Sequence, residues 1–505
     1  MNAAPAGRLL SNSRWNLLAF AFGLAAQFVT LPFVIRWIGL PVFGRAGLVL
    51  AMWAPLMMVG MVLGQATTRQ IASLLAAHDI DAASRTLATA LWMCLLASIA
   101  GGALLVLAGP PLLALFAADA RPGASLQLGF SIAGAGWAAQ QVALVLQGAT
   151  IARQDFRSVA QVAAFSSAAT VALTLASTWT NPTLEGYLGG VAASFGATLA
   201  AWLWARRNDG LGPRWHGAEA AGLIRFGKWQ ILAQLAGTFG NQIDRYALGV
   251  LAPAAVLGQY NAANRLQEAG YMGVMKGGEI LFPHFGATSA AAVAERQSFF
   301  VTSSWVVAAL SVVFLAPLVP LAHSLLLLWA GAETANGGDL LLRTLVLGGI
   351  VGCGSNVFTY YAMGIGENAP LAWLSVLYSL ATIVATIVLM RAFGPYAAGT
   401  GLLTASFGRV AAALWLTRRR FFPSLPWGEL MVSSVLPLAV GSVLALGLQA
   451  AGVGQVSSWP ALIGSYAAIA TTVLLATLAL TLPWRVGREI VSRIATAMRR
   501  SELAR

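Results

Sequence analysis

Apolar runs of about twenty residues, most of them uncharged, follow one another along this chain, and a run of that length crosses a bilayer as a helix. They fall at 15–35, 46–68, 86–109, 124–148, 158–178, 186–205, 229–251, 256–283, 299–322, 340–364, 369–390 and 396–417. Residues 430–484 carry no charge at all, enough for two further spans broken near Gly452–Pro460. Hydrocarbon offers no water to backbone N–H and C=O groups, so each run must close its hydrogen bonds within itself as a helix. The expected fold class is an all-α polytopic membrane protein with about fourteen transmembrane helices. Composition agrees, since 9% of the 505 residues are charged, where a soluble domain averages roughly 25%.

The distribution of arginine orients the chain. An even number of spans leaves both termini on one side, and the loops on that side hold most of the basic residues, among them Arg206-Arg207 and Arg418-Arg419-Arg420. Basic loops stay on the cytoplasmic face, so both termini are expected there. The formal charge of +13 is thus a topology signal, and no nucleic-acid partner is expected. Cys94 and Cys353 both lie in mid-span and suggest no disulfide framework. The tail from Pro483 places Ile490, Ile494 and Met498 one turn apart among arginines. It reads either as an amphipathic helix on the anionic leaflet or as an ordinary basic tail.

A constant offset superposes two stretches of the chain. Arg14-Trp15-Asn16 falls on Lys228-Trp229-Gln230, Gln27 on Asn241, Gly44 on Gly258, Gly64 on Gly278 and Gln65 on Glu279. Six spans separate the copies, so both enter the membrane in the same direction, as in parallel repeats related by an axis along the membrane normal. The expected organisation is an N-terminal lobe (1–205), a cytoplasmic linker (206–228), a C-terminal lobe (229–420), two added spans (421–484) and a basic cytoplasmic tail (485–505). A binding site near mid-depth between the lobes is the expectation that goes with such repeats.

The copies differ in charge. The first two spans have none inside, whereas the seventh and eighth hold Asp244, Arg245, Arg265, Glu268, Lys276 and Glu279. Ionisable groups at that depth are costly and by default line a wet cavity. On the seventh span Gln230, Gln234, Asn241 and Arg245 share one face, with Thr238 close by. On the eighth, Asn261, Arg265, Glu268, Met272, Met275 and Glu279 recur at alternating spacings of about four and three, flanked by Asn264 and Lys276. Two readings fit: substrate or proton handling, or local pairing of Arg265 with Glu268 and Lys276 with Glu279 that holds the bundle together. Arg409, alone in the twelfth span, reads either as an anion ligand or as a side chain snorkelling to the interface. Arg45 and Arg69 bracket the second span and are candidates for the mouths of the cavity. The four histidines have no metal spacing, and no nucleophile motif or phosphate loop is present.

The segments IRWIGLPVFGRAGLVLAMWAPLMMVGMVLGQATTRQIA (35–72), FGKW (226–229), DRYALG (244–249), VLGQYNAANRL (256–266) and LFPHFG (281–286) together resemble the lipid-linked oligosaccharide flippases. These form the polysaccharide-export branch of the multidrug/oligosaccharidyl-lipid/polysaccharide exporter superfamily. The resemblance implies two six-helix lobes with two added helices and a cationic central cavity. It implies a transporter, not an enzyme, that moves polyprenyl-pyrophosphate oligosaccharides across the bacterial inner membrane for surface polysaccharide synthesis. It places the family's aspartate at Asp244, its G-x-Y turn at Gly258-Gln259-Tyr260 and its basic residue at Arg265. The implied partners are the lipid-linked oligosaccharide, membrane lipids, and a polysaccharide polymerase or glycosyltransferases. No cofactor is implied beyond coupling to protons or sodium. The alternatives are a multidrug or cation antiporter of the same superfamily, disfavoured by a first span without acid, and a membrane glycan polymerase or ligase, disfavoured by short non-cytoplasmic loops.

Overall fold

A computed structural model describes residues 6–116, 124–207, 212–278, 281, 285, 292–365 and 367–482. The described residues form sixteen α-helices and no strand. The chain divides into two compact units, Met1–Gly258 and Gln259–Arg505. Six helices and the start of a seventh lie in the first unit: α1 (Ala6–Ala76), α2 (Ile80–Phe116), α3 (Ala124–Ala152), α4 (Phe156–Thr180), α5 (Leu184–Ala205), α6 (Gly217–Leu251) and the first turn of α7 (Ala254–Gly278). The second unit holds the rest of α7, then α8 (Val293–Leu315), α9 (Leu318–Ala330), α10 (Ala332–Cys353), α11 (Asn356–Gly364), α12 (Asn368–Phe393), α13 (Ala398–Leu416), α14 (Trp427–Ser434), α15 (Leu436–Ala450) and α16 (Trp459–Thr481).

Eight stretches of helix are long and apolar enough to cross a membrane, and ten if each of two bent pairs, α10 with α11 and α14 with α15, makes one crossing. One of the eight, Phe28–Ala76, has 49 residues. At 1.5 Å per residue that is about 74 Å, too long for one crossing of a ~30 Å hydrocarbon layer. Its break is at Gly39, whose φ of 78° and ψ of 159° are non-helical; glycine tolerates that geometry, and Pro41 follows to restart the helix. Three more helices, α6, α7 and α13, have the length to span and fall short only in apolarity, because they carry polar side chains. Eight to ten such spans among the described residues stand against the fourteen runs the sequence suggests. Both bent pairs turn by 41°, one at Gly354-Ser355 and the other beside Pro437, whose missing N–H interrupts the helical ladder.

In the first unit α1 packs on α2, α3, α4 and α6, and α5 closes against α3 and α4. Leu63, Ala66, Leu87, Leu91, Val145, Leu146, Val159, Val162 and Trp202 form the core where they meet. The helix bearing the seventh span begins at Gly217, inside the stretch read as linker. It is fastened to α2 by Arg85 Nε, 2.9 Å from Glu219, by the Arg214 N–H to the Ala88 carbonyl at 3.1 Å, and by Trp92 against Trp215.

The internal repeat has a physical counterpart. A methyl on Gly44 would strike the Ala254 carbonyl and the Gly258 amide, and a methyl on Gly258 would strike the Leu40 carbonyl. The offset that superposes Gly44 on Gly258 also superposes Leu40 on Ala254. The two contacts are therefore mates, and the equivalent glycines let two backbones cross at the shortest range. Membrane helices gain little from hydrophobic sorting and pack through such small residues.

In the second unit α8 packs against α10, α14, α15 and α16, while α13 lies between α10 and α12. Phe285, Phe300, Tyr360, Tyr361 and Phe422 make an aromatic core. The last two spans are tied in by polar contacts: Trp305 donates to Thr481 Oγ1 at 3.0 Å, Tyr466 to the Phe314 carbonyl at 2.7 Å and Ser324 to the Gly454 carbonyl at 2.7 Å. The basic tail from residue 485 lies outside the described residues.

Gly44→Ala is expected to lower the thermal midpoint in detergent, by about 1–3 kcal/mol for overpacking a closed contact. Gly408→Ala, where the added methyl meets nothing within 4 Å, should be neutral or slightly stabilising. Equal behaviour of the two variants in a thermal unfolding assay would refute the close-packing role of Gly44.

Candidate functional site

The candidate residues divide between the units. In the first, Arg45 is half-buried in the second half of α1, next to the Gly44 crossing, and Arg69 is exposed near its end. Twenty-four residues of helix separate them, about 36 Å, so they cannot serve one ligand group at one depth. Arg245 lies six residues before the end of α6, about 9 Å inside it, and is 8% exposed. Its Nη1 donates to Gln242 Oε1 one turn earlier, a partner the sequence reading overlooked although the i, i+3 spacing signals it. Asp244 is half-buried and accepts the Arg245 N–H at 2.9 Å. This part of α6 is held to α1 by Tyr246, which donates to the Ala51 carbonyl at 2.8 Å. On the same helix Gln234 and Thr238 are half-buried; the side chains of Gln230 and Asn241 lie outside the described set.

In the second unit one carboxylate gathers two donors. Asn264 Nδ2 donates to Glu268 Oε1 at 2.7 Å, and Arg265 Nη1 lies 3.2 Å from Glu268 Oε2. The cluster sits about 15–21 Å along α7 from Ala254. Pairing at this spacing is what the sequence allowed, but the pair is not sealed: the Arg265 and Glu268 side chains are 38% and 42% exposed. A charged pair left this open is suited to a wet surface rather than to lipid. Asn261 is buried on the same helix. The Lys276 side chain and the whole of Glu279 lie outside the described residues, so their pairing is not described.

Arg409 occupies a second polar centre of this unit. It stands about 16 Å from the start of α13 and 10 Å from its end, half-buried, its guanidinium 4.8 Å from the centroid of the Tyr378 ring on α12. Its Nε is buried with no hydrogen-bond partner among the described residues. The arrangement holds a cation inside the helix bundle with donor capacity to spare, as an anion site requires. Elsewhere in this unit the Tyr271 hydroxyl on α7 donates to Asn356 Oδ1 at 3.2 Å. Tyr271 continues the α7 stripe three residues after Glu268 and could have been read from that spacing. Tyr378 and Asn356 belong to other helices, and nothing in the sequence links them to Arg409 or Tyr271. Among the described residues no group of three His, Cys, Asp or Glu converges as a metal site would require.

The sequence profile of the polysaccharide biosynthesis protein family matches residues 9–289, more than half of the chain. The chain belongs to that family. Asp244, Arg245, Arg265 and Glu268 fall inside the matched stretch; Arg409 lies beyond it. Compared with curated proteins by sequence, the chain finds no match. Among solved structures, the lipid II flippase MurJ in an inward closed conformation superposes with a TM-score of 0.72 over 95% of this chain and 100% of its own, at 9% identity. An inward-facing multidrug resistance MATE family transporter of the MOP superfamily gives 0.67 over 81% of this chain and 94% of its own, at 14% identity. A MOP superfamily transporter from Pyrococcus furiosus Vc1 gives 0.59 over 81% and 95%, at 15% identity. The likeness is one of fold: this member of the polysaccharide biosynthesis family is an all-α, multi-pass membrane protein with the architecture of MOP-superfamily transporters.

Removing the aromatic face under Arg409 should be felt. Tyr378→Leu is expected to cost about 0.5–2 kcal/mol of stability, read as a lower thermal midpoint, whereas Tyr378→Phe keeps the ring and should stay near wild type. Equal losses in both would refute the stacking role.

Proposed function

We propose that this protein flips a polyprenyl-pyrophosphate-linked oligosaccharide across the bacterial inner membrane for surface polysaccharide assembly, alternating access between the two faces, with both termini cytoplasmic. The observation that carries this reading is the open Asn264–Arg265–Glu268 cluster within a membrane-spanning helix. A guanidinium can fork onto two phosphate oxygens at once. In the resting protein the Glu268 carboxylate occupies the donors that two phosphate oxygens would take. Arg409, half-buried and backed by Tyr378, supplies a second cation on the same unit. Membership of the polysaccharide biosynthesis family supports the cargo class, and the fold shared with a lipid II flippase supports the mode of transport.

On this reading the carboxylates are the movable charges. Protonation removes the negative charge that competes with phosphate for Arg265, so proton uptake at Glu268 or Asp244 couples the site to the gradient. The protein makes and breaks no covalent bond; its product is a lipid-linked unit on the outer leaflet, where a glycan polymerase or glycosyltransferase consumes it. Membrane lipids are its solvent throughout.

The test uses a strain lacking the gene, complemented with variants present at wild-type levels in the membrane. Arg265→Ala and Arg409→Ala should each weaken cargo handling about ten- to a hundred-fold, the worth of a charge-assisted hydrogen bond. Completed repeat units should then accumulate on their lipid carrier while surface polysaccharide falls. Normal surface polysaccharide in both variants would overturn the site assignment, and normal lipid intermediates in the deletion strain itself would overturn the cargo. Glu268→Gln removes the titratable group and keeps the shape, so its residual export should no longer respond to a protonophore. Undiminished protonophore sensitivity would exclude Glu268 as the coupling group.

A further inference from the structure

The first turns of α4 and the last turns of α5 lie side by side, since α5 runs back along α4 after the short connection at 181–183. Between these ends is a groove of about 660 Å³, within the ~300–1,000 Å³ of ordinary ligand pockets. Ser158, Gln161 and Phe165 line it from one helix face of α4, at the i, i+3, i+7 positions of one stripe. Trp204 and Ala205 line it from α5, with Arg207 just past the helix end. Most of the lining is apolar. Phe165 and Trp204, 51% and 70% exposed, are large rings left uncovered on helices that span the membrane. Tryptophan at a helix end is the usual anchor at the headgroup level.

The same end of the groove is strongly basic. The Arg207 guanidinium lies 4.8 Å from the centroid of the Trp204 ring and uses one donor on the Trp204 carbonyl, at 3.1 Å. Arg153 and Arg157 stand exposed beside the start of α4. Among the described residues the acid at this end, Asp155, is engaged in capping α4 through the Ser158 N–H at 3.1 Å. An apolar furrow that opens onto arginines at the depth of the headgroups complements one class of molecule, a lipid with an anionic head.

We infer that this groove binds an anionic membrane phospholipid, with an acyl chain along Phe165 and Trp204 and the headgroup phosphate on Arg207. Ser158 and Gln161 provide polar groups between the two, at the level of the glycerol esters. Under the positive-inside rule this is the cytoplasmic leaflet, where the anionic headgroups that attract arginine are found. The groove shares no residue with the α6, α7 and α13 charges and does not depend on what the protein transports.

The experiment is native mass spectrometry of the full-length protein in detergent, titrated separately with phosphatidylglycerol, phosphatidylethanolamine and a C55 polyprenyl phosphate. The wild type should retain phosphatidylglycerol in preference to phosphatidylethanolamine. Arg207→Gln should weaken phosphatidylglycerol retention about five-fold and leave phosphatidylethanolamine unchanged. Ala205→Trp fills the groove from an exposed position and keeps every arginine; it too should lose the preference. Arg391→Gln, an exposed arginine at the end of α12, should not. The inference is overturned by equal retention of the two phospholipids in the wild type, or by phosphatidylglycerol retention that survives either Arg207→Gln or Ala205→Trp. It is also overturned if the polyprenyl phosphate displaces phosphatidylglycerol in the wild type but not in Ala205→Trp.

Discussion

Within hydrocarbon there is no solvent to share a hydrogen bond, and every backbone polar group of a passage must find its partner in the chain itself. The fold follows from that demand. Each passage is a helix, and buried hydroxyls turn back on their own backbone, as Thr67 does to the Leu63 carbonyl at 2.7 Å and Thr150 to the Leu146 carbonyl at 2.8 Å. Where a passage breaks, a side chain closes the gap: Ser355 donates to the Gly352 carbonyl at 2.9 Å at the bend between α10 and α11. Two of the charged groups do likewise. Glu268 collects Asn264 and Arg265, and Arg245 collects Gln242, each within one turn of its own helix.

Lipid tails are as apolar as leucine, so helices are not driven together by hydrophobic sorting, and close backbone approach takes over. The Gly44 and Gly258 crossing is the clearest case, with the repeat written into it: equivalent residues of the two copies press on each other's helices. A similar approach joins α1 to α3, where Thr68 donates to the Gly148 carbonyl at 2.9 Å. The two spans outside the repeat are tied in by hydroxyl and indole donors as well as by apolar packing.

The two cationic centres of the second unit are built differently. Arg265 is neutralised by a neighbour on its own helix and kept accessible, which suits a group that must exchange partners. Arg409 has an aromatic ring for company and an unfilled donor, which suits a group that waits for an anion. An exchangeable cation and a retained one on the same unit are the features on which the proposed handling of a pyrophosphate rests.

Much of this was legible in the amino-acid order alone. Apolar runs of spanning length dictate helices because of the solvent they enter. The pairing of Arg265 with Glu268 is local, three residues apart on one helix, so spacing was enough to suggest it; Gln242 with Arg245 obeys the same spacing. Tertiary structure decided the rest. That Arg265 and Glu268 stay accessible depends on what packs around α7, and helix rotation is set by neighbours rather than by hydrophobic length. Tyr378 under Arg409 and Asn356 on Tyr271 join residues from separate helices, which no periodicity reports. The meaning of Gly44 and Gly258 lay half in each: the sequence aligned them, and only the folded chain showed that they are aligned because their backbones touch.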